Sequence, residues 1–144
     1  MIVDDEGFAL LEEDECFDLL GQSSIGRVGV TIGAIPAIFP VNFSLIDRNI
    51  FFFTAPGTKF SAALRNAVVA FEVDHVDPIY HEGWSVLVAG KSHEVADEAL
   101  LRRVKRSPLE PWAPGERSHV VCIDPDFVSG RSILHTSGVR ASDR

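Results

Sequence analysis

The spacing of apolar residues changes several times along the chain, and each change marks a predicted element. Over residues 11–20, Cys16, Phe17, Leu19 and Leu20 share one helical face. Glu12, Glu13 and Asp14 occupy the first turn, where the positive end of a helix dipole accepts acids, and Gly21 is the stop. From Arg27 the period becomes two: Val28, Val30 and Ile32 alternate with Arg27, Gly29 and Thr31, the pattern of a strand with one buried face. Gly33 opens a turn. Ile38, Phe39, Val41 and Phe43 form a second strand, which Pro36 and Pro40 keep out of a fully paired central place because neither has an N–H to donate. Asp47, Arg48 and Asn49 turn the chain into Ile50, Phe51, Phe52, Phe53 and Thr54, a strand whose consecutive rings lie on both faces. One face can fill a barrel interior; the other requires cover from a helix or a second subunit.

Ala55, Pro56 and Gly57 end that strand, and Thr58 stands at a helix N-cap followed by Phe60, Ala63, Leu64 and Ala67 at helical spacing. Residues 68–73 form a predicted strand and residues 84–95 a long one. Asp97 caps a third helix with Leu100, Leu101 and Val104 on its apolar face. Arg102, Arg103, Lys105 and Arg106 lie toward its negative end, and Pro108 stops it. A loop with Pro108, Pro111, Pro114 and Gly115 leads to a strand over 119–123 and an extension over 127–134. The small, polar tail over 136–144 is expected to fray. Hairpin-linked strands with three short helices predict a mainly β, single-domain chain over 1–144. It is a small antiparallel barrel that begins with an acidic helical segment over 1–21.

Composition narrows the classes. With 144 residues, 46% hydrophobic and 24% charged, the chain can bury one self-sufficient core without a disulfide framework. The net charge of −8 is concentrated: eight acids and no Lys or Arg fall in the first twenty residues, leaving thirteen acids against thirteen bases elsewhere. An acidic segment on a neutral body repels polyphosphate, so neither nucleic acid nor a membrane is an expected partner. No apolar stretch reaches the ~20 residues of a membrane helix, and a cytoplasmic location is the expectation. Cys16 and Cys122 lack CxxC or CxxH neighbours and are expected to be buried thiols, with no metal site signalled.

Candidate chemistry is densest in Thr54-Ala55-Pro56-Gly57-Thr58-Lys59, a strand end running through a glycine turn into a helix start. Free N–H groups at a helix start bind anions, and Gly57 lets a phosphate approach the backbone. Lys59 opposes the dipole and is better placed with an anion beside it. The same residues equally fit a plain capped helix with a solvated lysine, and the GxxxxGK spacing of a P-loop is absent. Asp74, His75, Asp77 and His81 could ligate a divalent metal, but they match no HExxH-type spacing and Pro78 places them in a solvated loop. Ser85 and Ser129 lack a G-x-S-x-G context and Cys122 lacks an evident base, so the sequence names no catalytic nucleophile, acid or base. Trp84 and Trp112 could stack on a planar ligand or pack in a core or interface.

Several segments carry a family likeness in order. They are Ile25-Gly26-Arg27-Val28, Phe39-Pro40-Val41-Asn42-Phe43, Gly57-Thr58-Lys59, Ala70-Phe71-Glu72-Val73-Asp74, Gly83-Trp84-Ser85-Val86 and Val128-Ser129-Gly130-Arg131. Together they resemble the pyridoxamine 5′-phosphate oxidase-like flavin-binding split barrels, in particular the short actinobacterial branch related to nitroimidazole-resistance proteins. The resemblance implies a six-stranded antiparallel split β-barrel, homodimeric, with two flavin sites at the subunit interface. It implies FMN as cofactor, with FAD or a deazaflavin as alternatives. Pro40, Val41 and Asn42 would lie along the isoalloxazine, Thr54, Gly57, Thr58 and Lys59 would meet the phosphate, and Arg27 and Trp84 would be further contacts. Cys122 stands where this branch is expected to carry arginine, and the oxidase's full set of phosphate-binding bases is not found, so oxidation of pyridoxamine phosphate is not implied. The implied function is an FMN-binding oxidoreductase acting with a small-molecule substrate or electron donor. Alternatives are a non-catalytic flavin or deazaflavin storage protein, and a metal-binding interaction protein built around His75 and His81.

Overall fold

A computed structural model describes residues 2–107 and 119–133. The elements are β1 (Ala9–Leu11), α1 (Glu13–Gly21), β2 (Ile25–Ile32), β3 (Ile35–Asn42), β4 (Ser44–Ile46), β5 (Asn49–Thr54), α2 (Lys59–Ala63), β6 (Ala67–Asp77), β7 (Glu82–Glu94), α3 (Glu98–Arg106) and β8 (His119–Ile133). The strands form one antiparallel sheet in the order β3-β2-β6-β7-β8-β5-β4, with β1 added against β8. Six long strands build the curled barrel wall, as expected, and two three-residue strands, β1 and β4, trim it. β8 makes the curl possible. Its first part pairs with β5 and its last part with β1, while β7 runs along both. The proline-bearing β3 sits at the end of the sheet order, where a missing N–H costs no ladder bond on its free side.

The interior holds Val28, Val30, Phe52, Phe71, Val86, Val88 and Ile123, with Cys16, Phe17 and Leu20 of α1 packed over it. The outer rings of the phenylalanine strand require cover from a helix or a second subunit, and a helix supplies it. Phe51 and Phe53 are buried by α3, in a second cluster with Val95, Val104, Val120 and Cys122. One amphipathic helix suffices because β5 exposes only those two rings on that side.

Three expected boundaries move. Residues 9–11 pair with β8 as β1 and Glu12 caps the helix, so α1 starts at Glu13 rather than residue 11, with the Glu12 N–H donating to Glu15 Oε1 at 2.9 Å. The second helix does not reach Ala67, because Asn66 takes a left-handed φ of 50° and turns the chain into β6. Ser92 Oγ, 2.8 Å from the Leu64 carbonyl and 3.1 Å from that of Ala67, fastens this turn to β7. β6 continues to Asp77, so Asp74, His75 and Asp77 lie on a strand and not in a loop. The proline loop, Trp112 and the tail over 136–144 fall outside the described residues.

The acidic N-terminal segment is tied down by two arginines. Arg48 lies 2.7 Å from Asp14 and stacks 4.5 Å over the Phe17 ring, and Arg131 reaches Asp4 at 3.3 Å and Glu6 at 3.2 Å. No helix among the described residues is long and apolar enough to cross a membrane.

Candidate functional site

The chain from Thr54 to Lys59 folds as its residues demand. Gly57 adopts φ 78°, the left-handed region that a side chain would strain, and Thr58 caps α2 by accepting the Ser61 N–H at 3.0 Å. The Lys59 and Phe60 N–H groups have no acceptor within the helix. Lys59 is exposed and makes no ion pair among the described residues. α2 has only five residues, so its dipole is weak and any anion there would depend on the lysine charge and the free N–H groups. Phe60 sets the position of this turn: its ring lies 4.5 Å from Phe39 on β3 and 6.3 Å from Phe52 on β5. Gly57, Thr58 and Lys59 are thereby carried beside the Phe39-Pro40-Val41 stretch, whereas Thr54 is held by β5, opposite His119 of β8, and is buried.

The remaining expected site residues divide. Pro40 is exposed and Asn42 partly so, but the side chain of Val41 is buried in the barrel core, leaving only its backbone for a ligand. Arg27 stands directly opposite Pro40 and is committed to carboxylates, Glu72 at 3.5 Å and Asp74 at 3.3 Å. Trp84 is not part of this group within one chain. Ser92 of β7 lies beside the end of α2, and Trp84 is eight residues back along the same strand, roughly 26 Å at ~3.3 Å per residue. Trp84 instead lines a cleft of about 310 Å³ with Glu72, Asp74 and Arg131, and its ring lies 6.5 Å from His75.

Glu72 is the titratable group of interest in that cleft. Burial raises its carboxyl to about 7, and its hydrogen bond to Asp74 and that neighbour's charge add to the rise, outweighing the opposing Arg27. The folded value exceeds the ordinary 4.5, so between pH 4.5 and about 7 the folded chain keeps a proton that the unfolded chain releases. The stability from this proton is complete below 4.5 and is lost as pH rises through about 7. Glu72→Gln should therefore raise the melting temperature at pH 8 and leave it nearly unchanged at pH 4. The side chain is 34% exposed, and solvent screening limits the gain to about 1 kcal/mol, ~3 °C. Melting curves at the two pH values check it; an equal shift at both would mean that the charge is not responsible.

The family model for pyridoxamine 5′-phosphate oxidase matches residues 12–132 of the chain. An uncharacterized protein of Mycobacterium tuberculosis is 39% identical over 132 residues, 88% of this chain and 86% of the relative. Among solved structures, the FAD binding protein from Mycobacterium smegmatis superposes with a TM-score of 0.76 at 38% identity, over 87% of this chain and 98% of that one. An FAD-binding protein from Mesorhizobium loti shares the fold, with a TM-score of 0.68 at 23% identity over 88% of this chain and 99% of that one. The chain belongs to the pyridoxamine 5′-phosphate oxidase family.

Within this pyridoxamine 5′-phosphate oxidase-family barrel, two groups of chemistry-bearing residues escaped sequence analysis. One is the Glu72–Asp74 pair, whose i, i+2 spacing on a strand was the available signal once β6 is known to extend that far. The other joins His93, Cys122 and Asp124 on adjacent strands, with His93 Nε2 3.2 Å and Cys122 Sγ 3.3 Å from the Asp124 carboxylate. Cys122 is buried, as expected, and burial pushes its thiol far above the ordinary range, reinforced by the hydrogen bond to Asp124 and that carboxylate's charge. His75 and His81 belong to no group of three or more potential ligands among the described residues.

Proposed function

We propose that the chain binds FMN at a homodimer interface and works as a flavin-dependent oxidoreductase on a small molecule. The observation that carries this reading is the Gly57-Thr58-Lys59 turn, with its first-turn N–H groups and a lysine that makes no ion pair among the described residues, positioned beside β3 by Phe60. Its donor set fits a phosphate. Lys59 and the first-turn N–H groups would hold that phosphate. Pro40, Asn42 and the backbone at Val41 would border the ring system, and Thr54 would close the strand-end side. Bound flavin supplies hydride or electron transfer, and this chain supplies orientation and a cover of apolar surface. FAD is the competing cofactor, favoured by the names of the Mycobacterium smegmatis and Mesorhizobium loti proteins.

A second subunit is supported by the outer face of the sheet. Ile38, Gly29, Ala70, Ala89 and Phe127 stand in one cross-strand row, with Ile38 72% and Phe127 53% exposed at its ends. The small residues between them make a shallow apolar surface that a second copy can approach closely.

Titration with riboflavin, FMN and FAD tests the site. FMN should bind more tightly than riboflavin, and Lys59→Ala should weaken FMN by about 1.5–3 kcal/mol while riboflavin is unaffected. Equal affinities for riboflavin and FMN would remove the phosphate site. Light scattering should give twice the 15.8 kDa chain mass. Anaerobic stopped-flow reduction with NADPH, NADH and a reduced deazaflavin separates enzyme from store. If none reduces the bound flavin faster than free FMN, the storage reading takes its place.

A further inference from the structure

We propose that His93, Cys122 and Asp124 bind a single divalent transition-metal ion of the zinc class, with water in the fourth position. The cluster is independent of the flavin reading. It arises from strand register: β7 and β8 place His93 directly opposite Cys122, and Asp124 follows two residues later on the same face. Imidazole nitrogen, thiol sulfur and carboxylate oxygen all lie within 4.8 Å of one another, the only such group of three or more among the described residues. Bonds of about 2.0–2.3 Å at tetrahedral angles put ligand atoms roughly 3.3–3.7 Å apart; His93 Nε2 lies 3.2 Å from Asp124 Oδ2 and Cys122 Sγ 3.3 Å from Asp124 Oδ1, so the exposed Asp124 carboxylate must turn to present one oxygen to the ion.

The donor types select the metal. A thiolate with an imidazole and one carboxylate suits zinc or cobalt(II), whereas magnesium and calcium require oxygen donors throughout. Access is graded. Cys122 is 2% exposed beneath α3, while the side chains of His93 and Asp124 are 38% and 53% exposed, so an ion can enter from solvent. On binding, the metal–sulfur bond replaces the S–H bond and the proton leaves to solvent. The dication is then balanced by thiolate and carboxylate, a neutral centre that the neighbouring Lys91, opposite Asp124, does not repel. Rigidity comes from Gly90, which packs against the Asp124 carbonyl so tightly that a β-carbon there would lie 2.8 Å from the Asp124 carbonyl carbon.

Cobalt(II) titration of the full chain, read as a difference spectrum against the same protein without metal, tests the site. The expected result is one equivalent bound with a sulfur-to-cobalt charge-transfer band and the visible bands of a four-coordinate ion. Cys122→Ser should abolish the charge-transfer band, Cys16→Ser should keep it, and His93→Ala or Asp124→Asn should weaken binding at least tenfold. Because Cys122 is buried, the two rim variants also carry an independent readout. Zinc at about a hundredfold excess over its Kd should raise the wild-type Tm by about 5–10 °C, and this rise should be lost in His93→Ala. Absence of a charge-transfer band at saturating cobalt, its survival in Cys122→Ser, or a zinc-induced rise unchanged in His93→Ala would each overturn the proposal.

Discussion

Phe71→Ala is expected to remove about 3–5 kcal/mol of stability, a large part of the 5–15 kcal/mol that holds a typical domain. Phe71 is fully buried at the middle of β6, and its ring meets Phe43 edge-on at 4.9 Å. It also lies over Gly26, where an added β-carbon would sit 2.8 Å from ring atom Cε1 and overlap the ring tip. Gly26 is thus a space requirement of Phe71, and the two positions should couple. Gly26→Ala should cost about 1–3 kcal/mol in the wild-type background and clearly less when Phe71 is leucine, because the shorter side chain vacates the contact. Urea unfolding of the four variants at fixed protein concentration gives the cycle. Strict additivity would mean that the Gly26 cost comes from its backbone and not from the ring.

The second large effect is expected at Gly90, where the β7–β8 ladder shifts register between Ala89 and Gly90. A β-carbon there would overlap the Asp124 carbonyl oxygen and come within 3.1 Å of Pro125 Cα. These are backbone atoms in the middle of the longest strand pair and cannot swing aside as a side chain would. Gly90→Ala should therefore cost about 3 kcal/mol or more, the upper range for overpacking. Gly21→Ala is the matched control: its β-carbon meets only Leu45 Cδ2 at 3.7 Å, at the last residue of α1. That substitution should be neutral or stabilise by up to about 1 kcal/mol, since alanine favours helix over glycine. A shift in urea midpoint for Gly90→Ala no larger than for Gly21→Ala would show that β8 can move away from the bulge.

Much of the architecture was legible in local pattern. The alternation of Val28, Val30 and Ile32, the prolines of β3 and the Thr58 cap are each decided by residues within one element, and the structure keeps all three. Cys16 and Cys122 were correctly expected in the interior, because an isolated thiol behaves as a small apolar group. The ordered family segments narrowed the small antiparallel barrel that the pattern of strands predicted to a six-stranded split barrel.

What the sequence could not decide was which residues face one another. A period of two assigns a side chain to a face, whereas its cross-strand neighbour depends on register, and register here depends on a bulge in β8 and on a hairpin that extends β6 to Asp77. Hence the Glu72–Asp74–Arg27 group, the pairing of His93 with Cys122 and the separation of Trp84 from Lys59 emerged only in three dimensions. The cover of Phe51 and Phe53 was undecided for the same reason. The apolar stripe of α3 is evident in Leu100, Leu101 and Val104, but the face on which it lands is fixed by long-range packing that no local spacing encodes.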